Sequence, residues 1–408
     1  MENKSLTPKN SKNKKRAFAK AAAFIACALI KIAFRNKVVK KTPVDYSKNY
    51  LILCTHGSGL DMLHTMAALK DMDYKIVAAR KLFYGKATGM ILRLFDAIPK
   101  KQFIPDLAAL KVVKSAADNG YSIFLCPEGR STPDGANSYI SPAISKMVKW
   151  MGLPVLFVNP KGSYLSYPRW TQSPRFGKIT TEVDTLFTKR EVKALSDAEI
   201  YKRIVEKFTF NEYDYQIDNG IKFLTPSPAK KIENLLFMCP SCKSSGKTFS
   251  TAKHICCKEC GLKAEVKTDG TLDFKDGARY FSRIDEWVEF QKNEIAKLAA
   301  KPGFSYSVDA DLLFEDDVNN SYITAAEGVL TVDKKGVTFE AKKFIADIDR
   351  EKYSKVFYPA ANLSGLSYGP HSLELYAYDV TQKYMFKPNV LTYEINLVIG
   401  AVFNMSRK

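Results

Sequence analysis

The sequence lacks an apolar run long enough to cross a bilayer: the uninterrupted stretch Ala21–Ile30 falls well short of the about 20 residues a spanning helix needs. A signal peptide is conceivable for this stretch but not expected, because Lys31 and Arg35 stand where a small-residue cleavage site should follow. The sequence also lacks a disulfide framework. Of eight cysteines, Cys27, Cys54 and Cys126 sit alone in apolar contexts, and the other five crowd into residues 239–260. A reducing cytosol fits that usage. There are no internal repeats. Acidic residues are under-supplied, with 43 Asp and Glu against 62 Lys and Arg, a net charge of +19. That excess predicts an anionic partner: a nucleic acid, an anionic membrane surface or a phosphorylated substrate.

The charge is unevenly spread. Residues 1–41 hold twelve Lys and Arg against the single acid Glu2, so this segment supplies more than half of the excess. Residues 1–44 read as a polar basic run leading into a basic amphipathic helix lying among the headgroups of an anionic leaflet. A helix packed on the protein's own core is the alternative. The first reading makes the protein peripheral or monotopic on the cytoplasmic face of a membrane.

Beyond residue 44 the chain alternates short apolar runs with helical patterns. "NYLILCT", "YKIVAA", "YSIFLCP" and "LPVLFVNPKG" read as strands. "DMLHTMAALKD", "DLAALKVVKSAADNG" and "SPAISKMVKWMG" read as helices, with Gly120 and Gly152 at expected C-caps. The alternation predicts an α/β domain over 45–230, a mostly parallel sheet flanked by helices. One or two charged surface helices are expected over 188–215.

Within that domain three segments carry chemistry. His56 and Asp61 flank a strand-to-helix turn in "LILCTHGSGLDML". A histidine accepts a proton near neutral pH, and a carboxylate on its far nitrogen fixes the tautomer, so the pair can activate a hydroxyl. Ser58 is not an esterase nucleophile, since its glycines are adjacent to it and not two residues away on either side. His64 reads as packing. In "YSIFLCPEGRSTPDG", Glu128, Gly129, Arg130 and Ser131 end a buried strand, where α/β sheets place ligands, and Arg130 offers a planar fork for a phosphate. The alternative is a surface Arg–Glu pair. In "LFDAIPKKQFIPD", Lys100 and Lys101 can add phosphate contacts or simply be solvated.

These segments together resemble the lysophospholipid acyltransferase family, whose members include 1-acylglycerol-3-phosphate acyltransferases. The resemblance runs through "HGSGLD" (56–61), "FDAIPKKQ" (95–102), "CPEGRS" (126–131) and "GLPVLFVNP" (152–160), in the family's order, and covers residues 45–215. The sequence departs from the pattern in three places. Lysines stand where an arginine is usual in the second block, "EGRS" omits a threonine, and Phe157 replaces a second proline. The resemblance implies direct acyl transfer from acyl-CoA or acyl carrier protein to the free hydroxyl of lysophosphatidate, with His56 and Asp61 catalytic and no catalytic cofactor. It also implies that Glu128, Gly129, Arg130, Ser131, Lys100 and Lys101 bind substrate. Glycerol 3-phosphate, another lysophospholipid or a lyso-aminolipid is an alternative acceptor. A membrane-tethered recruiter with an inactive core is the alternative of another class.

Two Cys-x2-Cys knuckles, Cys239/Cys242 and Cys257/Cys260, predict a zinc ribbon over 236–268 with a structural, four-thiolate ion. A redox pair or a ribbon without metal are the alternatives. No aromatic–basic interleaving marks a nucleic-acid face. Residues 309–320 fail the calcium-loop pattern, with Phe314 at its glycine position. A linking helix is expected over 280–300. A small mainly-β domain with a C-terminal helix is expected over 304–408, pleckstrin-homology-like in texture, with a hairpin at Lys334-Lys335-Gly336.

Overall fold

Leu51-Ile52-Leu53-Cys54 is apolar at every position and buried at every position, as a strand covered on both faces must be. The computed structural model describes Ile25 and residues 28–407, except 103–105, 137, 278, 317–318, 320, 364–366, 370, 378–379 and 388–390. The basic run and most of the expected N-terminal amphipathic helix lie outside the described residues. Residues 28–33 are helical (α1), with Ile30 and Phe34 buried and Ile25, Leu29 and Ile32 exposed.

The chain divides into two units. The first comprises residues up to Gly129, Pro142–Ser166 and Phe176–Thr209. Its elements are β1 (Lys37–Lys40), β2 (Leu51–Cys54), α2 (Asp61–Ala68), β3 (Tyr74–Ala79), α3 (Lys86–Leu94), β4 (Ile98–Lys100), α4 (Leu107–Asp118), β5 (Ser122–Leu125), α5 (Ala143–Met151), β6 (Val155–Lys161), α6 (Ser163–Ser166), β7 (Thr180–Phe187), α7 (Lys189–Ala194) and α8 (Asp197–Phe208). The sheet order is β1-β7-β6-β2-β5-β3-β4, parallel throughout except for the β6–β7 pair. Its centre buries Ile52, Cys54, Phe124, Leu156, Val158 and Val183 against Leu69 of the α2 end. Leu53 pairs with Leu125, so β2 and β5 run out at one edge of the sheet.

Ser196 and Thr188 start α8 and α7 with reciprocal capping boxes through Glu199 and Glu191. Three charged helices occupy 188–218 where one or two were expected, because α9 (Glu212–Asp218) is capped separately by Asn211.

The second unit comprises Arg130–Ser141, Tyr167–Arg175 and Phe210–Lys408. It holds α9 and an antiparallel sheet ordered β11-β10-β9-β8: β8 (Thr248–Ser250), β9 (His254–Cys257), β10 (Lys263–Val266) and β11 (Leu272–Phe274). Next comes α10 (Ile284–Ala300), burying Trp287, Val288 and Ile295 as its periodicity requires. The C-terminal antiparallel sheet is built from β12 (Ser305–Asp316), β13 (Ser321–Asp333), β14 (Gly336–Phe344), β15 (Lys355–Pro359), β16 (Ser367–Gly369), β17 (Ser372–Ala377) and β18 (Val380–Met385). The order is β15-β14-β13-β12-β18-β17-β16, with α11 (Arg350–Ser354) before β15. The helix α12 (Thr392–Ser406) closes the chain and packs against α10. The hairpin falls at Lys334–Lys335, as read from sequence.

Candidate active site

His56 lies just past the end of β2 and Glu128 just past the end of β5, at the same edge of the sheet. The His56 backbone N–H donates to Glu128 Oε2 at 2.6 Å. Glu128 is buried, so a charge-assisted bond ties the two loops together. Asp61 opens α2, which turns its carboxylate back over the preceding loop. There Oδ2 lies 3.1 Å from His56 Nδ1 and accepts the Ser58 N–H at 2.8 Å. With a proton on Nδ1 facing the carboxylate, Nε2 keeps its lone pair and can act as a base. Asp61 is 1% exposed and the His56 side chain 27%, so the orienting group is dry while the ring reaches solvent.

Sequence reasoning missed Ser163. Its hydroxyl donates to Asp61 Oδ1 and lies 2.8 Å from Ser58 Oγ, which in turn accepts the Leu60 N–H at 3.0 Å. Asp61 therefore has partners on both oxygens. The signal was thin: a glycine and a serine directly after the β6 strand, about a hundred residues away in the chain. Asn159 of β6 adds a tie, accepting from Thr55 Oγ1 at 3.0 Å.

Gly129 turns the chain with φ +71°, a conformation costly for a side chain, and its carbonyl accepts from Gln102 Nε2. Lys100 ends β4; its ammonium donates to the Lys101 carbonyl at 2.8 Å, and burial holds its pKa below the usual lysine value. The Lys101 N–H donates to Asp106 Oδ2 at 2.9 Å, and Asp106 caps α4 through the Ala109 N–H. Cys126, half-buried, hydrogen-bonds to Cys54, and that bond together with desolvation pushes its thiol pKa up. His64 is packed edge-on against Phe34, ring centroids 5.5 Å apart, and burial lowers its pKa to about 4.

The chain enters the second unit at Arg130. There Arg130 Nη1 donates to Asn396 Oδ1 of α12 at 2.9 Å, and Ser131 accepts from Arg169 Nη1 at its carbonyl, 2.9 Å, and its hydroxyl, 3.2 Å. Asp134 is buried between Lys292 of α10, 2.8 Å, and the Tyr393 hydroxyl, 3.2 Å. Burial alone would raise the Asp134 pKa, but the Lys292 ammonium overrides it and holds the carboxyl below its ordinary value. The segment after the Cys-Pro-Glu-Gly turn is thus clamped by α10 and α12. Asn396 was not legible as a partner of Arg130, since the two lie 266 residues apart.

The four knuckle cysteines converge, their sulfurs all within 4.8 Å of one another. Cys239 and Cys260 sulfurs are 3.6 Å apart, Cys242 and Cys257 3.7 Å. Tetrahedral zinc with Zn–S bonds of about 2.3 Å needs an S–S edge of about 3.8 Å. Burial pushes the Cys239 and Cys257 thiols up, opposed in part by the N–H groups of Ser241 and Cys242 at the Cys239 sulfur and of Glu259 and Cys260 at the Cys257 sulfur. The donor set fits a closed metal site.

Residues 32–159 match the family model described as Acyltransferase. The match spans the first three blocks and most of the fourth. Among solved structures the chain is similar to the 1-acyl-sn-glycerophosphate (LPA) acyltransferase PlsC from Thermotoga maritima, at 18% identity and a TM-score of 0.41, covering 52% of this chain and 84% of that one. No curated protein matches the chain.

Proposed function

We propose that the protein is an O-acyltransferase that moves a fatty acyl group from acyl-CoA or acyl carrier protein to the free glycerol hydroxyl of lysophosphatidate, giving phosphatidate. The observation that carries this reading is the His56–Asp61 pair at 3.1 Å on the edge of a mostly parallel sheet, inside the segment that matches the Acyltransferase model. His56 Nε2 takes the hydroxyl proton as the oxygen attacks the thioester carbonyl. The C–S bond then breaks, and the departing thiolate takes the proton back from the imidazolium. The new ester oxygen and the acyl carbon stay together as product. Asp61 stabilises the imidazolium between these steps. Glu128 acts through the His56 backbone. Arg130 binds the acceptor's phosphate, and Asn396 orients the guanidinium.

The second block has Lys100 and Lys101 where the family's arginine is usual, and Lys100 donates to the Lys101 carbonyl. That feature favours testing other phosphorylated acceptors, glycerol 3-phosphate first, beside lysophosphatidate. The ion held by Cys239, Cys242, Cys257 and Cys260 is zinc in this reading, structural because all four positions are filled by protein. The strand order of the C-terminal sheet and its closing helix support a pleckstrin-homology-like module. Among the described residues no helix is long and apolar enough to cross a membrane. The exposed Ile25, Leu29 and Ile32, beside the basic N-terminus, support peripheral binding to an anionic leaflet.

The deciding experiment tracks labelled acyl transfer from acyl-CoA to lysophosphatidate by the wild type and by His56→Ala. Transfer abolished by the substitution is expected. Equal transfer by both proteins would remove His56 as the base, and no transfer to any acceptor from either donor would sink the enzyme.

A further inference from the structure

The helix α3 is amphipathic in the wrong sense for a soluble surface. It buries Gly89 and Leu92 and shows Met90 and Ile91 to solvent, 66% and 42% exposed, with Ala87 beside them. Leu82, on the 3-10 turn Arg80–Phe83 that precedes it, is 44% exposed. Gly89 explains how the helix lies so flat: a side chain there would strike the Phe83 carbonyl. Neighbouring exposed apolar side chains at one place mark an interaction surface. The charges identify what it meets. Residues 80–95 carry Arg80, Lys81, Lys86 and Arg93 and no acid. An apolar helical stripe set among cations suits an anionic bilayer, where the stripe enters the acyl boundary and the cations stay with phosphates. Its position fits as well. The Arg80–Phe83 turn leaves the C-terminal end of β3, the edge at which β2 delivers His56 and β5 delivers Glu128.

We infer that the Arg80–Leu94 segment is a bilayer-docking surface, separate from the N-terminal basic segment, which seats the His56 edge of the sheet at headgroup depth on anionic membranes. This rests on the proposed transfer to a membrane-borne acceptor for its purpose, but its binding test needs no activity. The full-length protein is sedimented with vesicles of phosphatidylcholine mixed with phosphatidylglycerol, comparing wild type, Met90→Glu/Ile91→Glu and the conservative Met90→Leu/Ile91→Leu. The glutamate pair is expected to lower partition about fivefold or more, since each buried methylene contributes to anchoring, while the leucine pair binds like wild type. Any smaller fall overturns the inference. So does a wild type that stays off the vesicles but self-associates through this face. If the glutamate pair fails to fold, Leu82→Ser/Met90→Ser takes its place under the same criterion. Acyl transfer is measured in parallel on a short-chain acceptor dissolved without aggregates. The glutamate pair should retain it while losing transfer to the vesicle-borne acceptor. Absence of transfer by the wild type on both acceptors would count against the enzyme reading and leave the partition result to decide the surface.

Discussion

Asp61 is the residue on which the site's geometry converges. It is nearly inaccessible to water, and both of its oxygens are engaged by groups fixed on other elements. An isosteric Asp61→Asn keeps the shape, yet it removes the charge that stabilises an imidazolium and presents an amide to Nδ1. The expected result is a fall in kcat of about a thousandfold or more, in the range set by general-base and tautomer effects, with the acceptor KM nearly unchanged. Steady-state kinetics check it, and a fall confined to KM would move Asp61 out of this role. Asn396 would work differently, on the guanidinium that in the proposed reading binds the acceptor's phosphate. Asn396→Ala removes one partner of the Arg130 guanidinium. A hydrogen bond to a charged group contributes about 1.5–3 kcal/mol, so acceptor KM should rise about tenfold or more with kcat little changed. An acceptor lacking phosphate should be indifferent to the substitution.

Elements differ in how much they depend on a staple. The sheet β8–β11 consists of strands of three or four residues, whose buried positions include Cys257, Ile255, Ala264, Val266 and Leu272. Strands this short with so small a core are the kind that a metal at the four cysteines would staple. The purified protein is expected to carry zinc at one ion per chain by elemental analysis, and Cys239→Ser/Cys257→Ser to carry none. Stripping the metal with a strong chelator should lower the thermal midpoint. An unchanged midpoint with metal removed would assign the knuckles another purpose.

The clamp on residues 130–141 makes a second element-scale prediction. Asp134→Asn takes the buried anion from the Lys292 ammonium and leaves it only the exposed Glu289 carboxylate at 2.7 Å, at a cost of up to about 3 kcal/mol, the upper limit set by breaking such a pair outright. The Asp134 carboxyl has its pKa lowered from 3.8, so its contribution is present above that value and is lost as pH falls below it. Urea midpoints for wild type and variant should therefore differ at neutral pH and converge in acid. A constant gap would show that the charge is not the source.

The same scale shows what a sequence can reveal. β2, β5 and β6 are legible because they are buried on both faces and read as continuous apolar runs. β7, "TTEVDTLF", pairs antiparallel with β6 and parallel with β1, alternating Thr, Glu and Asp with apolar residues in a stretch that carried no strand expectation. α3 was unread for the opposite reason, since its apolar side faces out. The His56–Asp61 pair was legible because it is local, five residues apart. Ser163 and Asn396 were not, because only the folded chain brings them to the groups they hold.

For the whole molecule, the proposed membrane docking would draw on two forces of different range. The net charge of +19 acts over the Debye length, about 10 Å at 0.1 M salt, whereas the exposed apolar residues act only on contact. Each basic residue near an anionic surface contributes about 1 kcal/mol, so in the proposed docking charge would gather the protein and the apolar side chains would retain it. Raising salt from about 0.1 M to about 0.5 M shortens the Debye length to less than half. Partition onto anionic vesicles should then fall by about tenfold, consistent with screening several such contacts. A residual, salt-resistant fraction should remain on vesicles already occupied, held by apolar burial. Transfer to a vesicle-borne acceptor should fall in step with partition, while transfer to a dissolved short-chain acceptor stays within the smaller change expected of phosphate binding alone. Sedimentation and acyl-transfer assays on the same samples decide it. A partition indifferent to salt would mean that apolar contact alone governs association, and the basic excess of residues 1–41 would then need another partner.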